Sequence, residues 1–437
     1  MLYIKGGYVI DPKSGLEGLR DILVKDDSIV CIEKTGSSLV ELLKQNGLGA
    51  YAEHMDEIDR IDAQGMIVAP GLVDVHVHFR DPGFTYKEDI ESGAAAATRG
   101  GFTSVVLMAN TKPAVDNIET LRYVLEKGEK TGIRVYSCAN VTKGLKGEKL
   151  VDMEALSNAG ASGFTDDGIP ILDEVLLRDA LRQAARLGKP VSLHEENPKY
   201  ITNNGINAGK AAQYYGIGGS PREAEISMVE RDIKIAIEEE TDLSIQHIST
   251  KEAVELVRQA KRHSCHIFAE ATPHHFALTE DAAIKHGTLA KMNPPLREES
   301  DRLAIIEGLK DGTIDVIATD HAPHSTEEKE KSITEAPSGI IGLETALSLG
   351  IRELVQPGYL TMMELIKKMS LAPAKLYKLD AGYIGKDAPA DLVIFDKDAE
   401  WKVESFASKS GNSPFIGETM PGVIKYTICS GEIVYKD

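Results

Sequence analysis

His76 and His78 stand two residues apart at the end of an apolar run, "MIVAPGLVDVHV", and Arg80-Asp81-Pro82-Gly83 follows at once. Alternate residues of a strand point to one side, so both imidazoles can reach a single cation. Other short apolar segments also carry polar residues at their ends. Asp166 and Asp167 lie in "SGFTDDG", His194 in "PVSLHEE" and His247 in "DLSIQHIS". His274 and His275 close "HIFAEATPHH", and Asp320, His321 and His324 close "DVIATDHAPH". Imidazole with carboxylate suits zinc, and iron, cobalt or manganese less exclusively. Two histidine pairs, a carboxylate between them and another from the last segment can hold two ions about 3.5–4 Å apart. Such ions bring the pKa of a shared water toward about 7 and polarise a carbonyl. The expected reaction is hydrolysis of a C–N or C–O bond at carbonyl or phosphorus. Arg80 beside such a centre asks for an anion, and its planar fork matches a carboxylate. Asn110 in "MANT" and Asn293 in "KMNPPLR" are candidate donors to the same group or to a ring amide.

These residues must be brought to one place by the elements that carry them. Eight β-like segments run from "LVDVHVHF" through "FTSVVLMANT" and "IRVYSCANV" to "DVIATDHAPH". Helical patterns such as "IETLRYVLEKGEKTG", "DEVLLRDALRQAARLG" and "TKEAVELVRQAKRH" alternate with them. That alternation predicts a parallel sheet with crossover helices, and eight strands over this length predict a (β/α)8 barrel of the TIM type. The polar ends fall at the C-terminal face, where barrel sites are built. Residues 1–66 and 376–437 are both rich in short β signals. They are expected to meet as one small β-sandwich domain, with 67–375 forming the barrel.

Composition narrows the partners. Lys and Arg number 49 against 68 Asp and Glu, so 49 − 68 leaves a net charge of −19. That opposes binding to nucleic acid or to anionic membranes. It says little about a small anionic substrate, which responds to the local field of its pocket. No apolar run reaches the roughly 18 residues of a membrane span, and "MLYIKGGYVIDP" has no signal-peptide pattern. The four cysteines, Cys31, Cys138, Cys265 and Cys429, form no CxxC pair. A cytoplasmic protein with free thiols is expected. His263, Cys265 and His266 precede the seventh segment and read as surface residues. "YYGIGGSP" lacks the spacing of a nucleotide-binding turn. The charged stretch 324–339, just after the last strand, is a candidate lid.

Read together, "DVHVHFRDPG", "MANTKP", "GFTDDG", "LHEEN", "QHIST", "ATPHHFALTE", "KMNPPLR", "ATDHAPH" and "GIIGLET" occur in an order that resembles the dihydroorotases of the amidohydrolase superfamily, of the long bacterial type. The resemblance implies that His76, His78 and Asp320 bind one zinc ion and His194 and His247 a second. Many relatives bridge the ions with a carbamylated lysine. None stands near the fourth strand end here, and similarity to the long type implies Asp167, rather than Asp166, as the bridge. Arg80, Asn110, His324 and His78 would face the substrate, with Asn293 on the pyrimidine ring and the Ser338-Gly339 backbone nearby. Relatives tend to read Phe-Gly at that last site; Ser338 in place of the Phe leaves backbone contacts possible but removes any packing role for the aromatic ring. The implied reaction is reversible ring closure of N-carbamoyl-L-aspartate to L-dihydroorotate and water, with Asp320 moving the proton. A homo-oligomer, such as a dimer, is expected. The rival readings are a dihydropyrimidinase, hydantoinase or allantoinase, or an inactive scaffold subunit; the last predicts missing ligands. His274 and His275 are expected to orient the metal ligands.

Overall fold

The computed structural model describes all residues, 1–437. Fifteen strands fall into two assemblies. β1 (Leu2–Asp11), β2 (Leu16–Lys25), β3 (Ser28–Lys34), β4 (Asp59–Asp62) and β5 (Ile67–Pro70) come from the N-terminal part. The barrel strands are β6 (Leu72–Val77), β7 (Phe102–Leu107), β8 (Arg134–Ser137), β9 (Val191–Leu193), β10 (Leu243–Ile245), β11 (Ile267–Ala271) and β12 (Val316–Ile317). β13 (Leu392–Lys402), β14 (Thr419–Cys429) and β15 (Glu432–Lys436) come from the C-terminal part.

The barrel is a parallel ring. β6, β7 and β8 pair in order, and β9, β10, β11 and β12 pair in order. Single bridges join the two arcs: Phe164 pairs with Ala139 and Val191, and Val77 pairs with His321. "SGFTDDG" therefore takes the fourth position, but as one bridging residue rather than a ladder. The chain turns away after Thr165, because Asp166 spends its carboxylate on the amides of Val141 and Thr142 and Gly168 takes φ 81°. Between the last and first strands, the buried Asp74 carboxylate accepts the Thr319 amide at 3.1 Å.

The helices form where the periodicity places them. Glu174–Leu187 starts at Asp173, whose side chain accepts two backbone amides, and stops at Gly188 in the left-handed region. Its stripe Leu177, Ala180, Leu181 and Ala184 is buried, and each such leucine contributes on the order of 1.5–3 kcal/mol. Lys251–Lys261 repeats the design with Thr250 as cap and Val254 and Val257 buried. These stripes join the strands in one core of 67 buried residues.

The chain ends meet in one sheet, ordered β15-β14-β13-β5-β1-β2-β3, with β4 beside β1. The β-sandwich takes the form of this single continuous sheet, which encloses its own core around Ile4, Ile22, Val68 and Ile394. β5 pairs with β1 and β13, so the sheet reaches residue 70, four residues past the expected limit at 66. Between β3 and β4 the chain forms three short helices, Leu39–Gln45, Gly49–Glu53 and Met55–Glu57, rather than extended segments. Ser38 and Glu41 form a capping box on the helix Leu39–Gln45, a local signal masked by the β-rich flanks. No helix is long and apolar enough to cross a membrane.

One glycine shows how tightly the first strand end is packed. Gly93 sits in the helix Ile90–Arg99, and a Cβ there would lie 2.4 Å from the Phe79 ring. Phe79 separates His78 from Arg80 in the chain. Gly93→Ala should lower stability by about 1–2 kcal/mol, because overpacking outweighs the roughly 1 kcal/mol gain in helix propensity. Thermal melting of the two proteins checks this, and an unchanged or raised Tm would contradict the packing.

Candidate active site

The six side chains of the site arrive from the C-terminal ends of five positions around the barrel. His76 and His78 close β6, Asp167 follows Phe164, His194 follows β9, His247 follows β10 and Asp320 follows β12. All six are buried. Three of the residues that leave these strands are strained. Arg80 (φ 58°), His247 (φ 30°) and Asp320 (φ 47°) occupy the left-handed region, at a cost of about 1–3 kcal/mol each.

Asp167 lies at the middle. Its Oδ1 is 3.5 Å from His76 Nε2 and 3.9 Å from both His194 Nδ1 and His247 Nε2. Its Oδ2 is 3.5 Å from His78 Nε2. Asp320 Oδ1 reaches His78 Nε2 at 2.9 Å and His76 Nε2 at 3.5 Å. His194 Nδ1 and His247 Nε2 lie 2.9 Å apart. Two of the triads that can converge on one ion share Asp167: His76, His78 and Asp167 on one side, Asp167, His194 and His247 on the other. His76 Nε2 is buried with no hydrogen-bond partner. Nitrogen lone pairs and carboxylates turned on a common point, with one orphaned, fit a divalent metal centre.

The other ring nitrogens are tied back. His76 Nδ1 faces Glu270 Oε2 at 3.2 Å, His78 Nδ1 faces Asn110 Oδ1 at 3.0 Å, and His194 Nε2 faces Glu196 Oε2 at 3.2 Å. Such partners fix which nitrogen is free for metal. Burial alone would lower the His76 pKa, but Asp320, Asp167 and Glu270 outweigh it and raise it well above the ordinary value. His247 goes the other way, pushed well down by burial and by His194 and His76. For Asp167 burial works upward, yet the neighbouring imidazoles hold its carboxyl well below the usual range.

Asp166 is turned out of this cluster. It accepts the amides of Val141 at 2.9 Å and Thr142 at 3.1 Å, and the Thr142 hydroxyl. His321 is also directed elsewhere, with Nε2 3.4 Å from Glu88.

The open side is a pocket that includes Arg80, Asn110, Asn293, His324 and Ser338 among its walls. Arg80 Nε donates to Pro323 O at 3.2 Å, and its Nη2 lies 3.4 Å from His324 Nε2. Asn293 Oδ1 is buried and has no partner, an acceptor suited to a ring N–H. Two residues expected to face substrate are otherwise engaged. Asn110 donates to Asp167 Oδ2 at 2.9 Å and to its carbonyl at 3.2 Å, so its amide aims metal-facing groups. Gly339 has its N–H on Lys291 O and its carbonyl on Asn412 Nδ2 and Lys329 Nζ. It is glycine for space: a Cβ would lie 2.7 Å from His324 Cδ2.

The histidine pair also departs from expectation. His275 donates from Nε2 to Pro294 O at 3.0 Å, which steadies the Asn293 loop, and neither His274 nor His275 bonds a metal-facing residue. The orienting task falls to Glu270, Asn110 and Glu196. Glu270 was legible as a lone acid inside an apolar strand, and Glu196 sits two residues after His194. Asn412 gave no signal. It accepts the His324 amide at 3.0 Å from 88 residues away. Stretch 324–339 is fastened: Lys329 Nζ donates to Pro337 O at 2.9 Å and Lys291 Nζ to Ala336 O at 2.6 Å. At the far end, His266 pairs with Asp242 at 2.8 Å and Cys265 is exposed.

The profile of the Amidohydrolase family matches residues 67–434. A dihydroorotase of Clostridioides difficile (strain 630) is 53% identical over 436 residues, covering 100% of both chains. The chain belongs to the amidohydrolase family, on its dihydroorotase branch. A second dihydroorotase, from Clostridium acetobutylicum, is 49% identical over 439 residues and again covers 100% of both chains. Among solved structures, the L-hydantoinase (dihydropyrimidinase) of Arthrobacter aurescens superposes with a TM-score of 0.86 at 26% identity, covering 100% of this chain and 96% of its own. The dihydropyrimidinase of Brevibacillus agri, at 22% identity and a TM-score of 0.82 over 99% and 95% of the two chains, shares the fold. Amidohydrolases are metal-dependent, in keeping with the triads around Asp167.

The two adjacent aspartates should separate cleanly. Asp167→Asn should weaken metal affinity by at least about 10–100-fold. Asp166→Asn should keep the metal and cost about 1–3 kcal/mol of stability through lost buried hydrogen bonds. Metal analysis after dialysis, with competitive chelator titration and melting curves, reads both; full metal retention by Asp167→Asn would refute the geometry.

Proposed function

We propose that this chain is a zinc-dependent dihydroorotase, which interconverts N-carbamoyl-L-aspartate with L-dihydroorotate and water. The observation that carries the reading is Arg80 in the same pocket as five of the six metal-facing side chains, His78, Asp167, His194, His247 and Asp320. A guanidinium at that position is answered by a carboxylate, and both members of the proposed reaction pair carry one that takes no part in the ring-forming step. A hydantoin or dihydrouracil ring offers none. Full-length identity near one half to dihydroorotases supports the same choice.

When bound, divalent ions lower the pKa of a water and polarise the amide carbonyl; the imidazole and carboxylate donors suit zinc. The chain's own groups supply the rest. Arg80 and His324 hold the substrate carboxylate. The unpartnered Asn293 Oδ1 accepts a ring N–H, and with the carboxylate fixed this sets the carbonyl over the centre. Asp320 is within 2.9 Å of His78 Nε2 and lines the pocket. In ring opening it takes the proton of the attacking water and delivers it to the leaving ring nitrogen. In closure it starts protonated and the transfers reverse. Asp167 shares its two oxygens between the two histidine sets and keeps them in register.

A substrate panel tests the reading. The purified protein should open dihydroorotate and close N-carbamoyl-L-aspartate, leave dihydrouracil and hydantoin nearly untouched, lose activity to a chelator and regain it with zinc. Arg80→Met should lower kcat/KM for dihydroorotate by on the order of 100-fold, the loss of a charge-assisted pair. Preference for dihydrouracil would assign the protein to the other cyclic amide hydrolases.

A further inference from the structure

Lys87 lies in the loop between β6 and the helix Ile90–Arg99. It does not line the pocket. Its side chain is buried behind His324, with Nζ 3.2 Å from His324 Nδ1 and 2.9 Å from Glu328 Oε1. The Nε2 edge of His324 is flanked by Arg80 and by the Ser338 carbonyl, both at the pocket wall.

His324 stands between two incompatible sets of hydrogen bonds. In one, Nδ1 accepts from Lys87 and Nε2–H donates to Ser338 O at 2.9 Å. In the other, Nδ1–H donates to Glu328 Oε2 at 3.3 Å and Nε2 accepts from Arg80 at 3.4 Å. A neutral imidazole has one proton, so only one set can form. The ring is neutral: burial first, then the charges of Arg80, Lys87 and Lys329, push its pKa far down. Both contacts of the first set are shorter. Glu328 is meanwhile occupied, its Oε1 by Lys87 and the Tyr86 hydroxyl and its Oε2 by the Ser325 amide.

We infer that Lys87 is a positioning residue that locks His324 in the Nε2–H tautomer, so that a substrate carboxylate meets N–H groups of both Arg80 and His324, the latter shared with the Ser338 carbonyl. With Lys87 removed, Glu328 draws the proton to Nδ1. The pocket then meets the carboxylate with a donor and a lone pair, and the lone pair repels it. Lys87 thereby sets preference for an anionic substrate from behind the pocket wall. This rests on the carboxylate-bearing substrate proposed above.

The experiment begins with zinc-loaded wild type carrying ¹⁵N-histidine, without substrate. In a long-range ¹H–¹⁵N spectrum, the resonance lost in His324→Ala should show a protonated Nε2 and a bare Nδ1; a protonated Nδ1 overturns the inference. Lys87→Met should move that proton to Nδ1, raise KM for dihydroorotate on the order of 10-fold and leave kcat within about threefold. Adding Glu328→Gln to Lys87→Met should recover most of the KM. Adding Lys87→Met to His324→Ala should change KM by less than about twofold, since coupled residues are not additive; a further tenfold loss there means direct charge action and overturns the inference. Lys87→Arg, which keeps a donor and the fold, should retain the Nε2–H form. The opposite tautomer in that variant also overturns it, whether or not Lys87→Met folds. Wild type that fails to open dihydroorotate would refute the proposed function alone, because the spectrum is read without substrate.

Discussion

One buried carboxylate within 4 Å of four imidazoles is the constraint on which this structure turns. Asp167 meets His76 and His78 at 3.5 Å and His194 and His247 at 3.9 Å. Taking such groups out of water costs several kcal/mol for each ion even after relaxation. Protein hydrogen bonds alone do not settle them, since His76 Nε2 remains without a partner. Divalent cations would satisfy nitrogen and oxygen lone pairs together. The Glu270, Asn110 and Glu196 contacts then have a clear purpose: each takes the far side of a ring or carboxylate and leaves the near side free.

Holding that cluster strains the backbone where the strands end. His247 and Asp320 leave their strands with positive φ, as does Arg80 just beyond His78. A barrel can sustain this because its closure is fixed elsewhere. Parallel ladders run along both arcs, and buried Asp74 ties the Thr319 backbone to the first strand. The strain is concentrated in residues that reach the pocket, while the ladders behind them remain regular.

The substrate side is built differently, from loops pinned by buried lysine and amide side chains. Lys291, Lys329 and Asn412 bond the carbonyls of Ala336, Pro337 and Gly339, and the segment following the last strand is held as a wall. A wall ordered before substrate arrives spares the entropy of ordering it on binding. Asn412 belongs to the C-terminal stretch between β13 and β14. The part of the chain that completes the end-built sheet thus also buttresses the pocket.

The alternation of apolar segments with helical stripes determined the barrel, because period 2 and period 3.6 are local properties of a chain. The metal-facing residues were legible for the same reason, as each is the polar end of an apolar segment. Even Arg80 could be read from its place beside the histidines. Tertiary structure alone decided the pairings between distant segments. It turned Asp166 to the backbone and Asp167 to the centre, spent Asn110 on its neighbours, and set Lys87, Glu328 and Asn412 around His324. It also reduced the fourth strand to Phe164. The physical reason is that a hydrogen bond acts over about 3 Å, so a polar residue's work depends on which neighbours the folded chain brings within that distance, and sequence spacing reports this only within a single element.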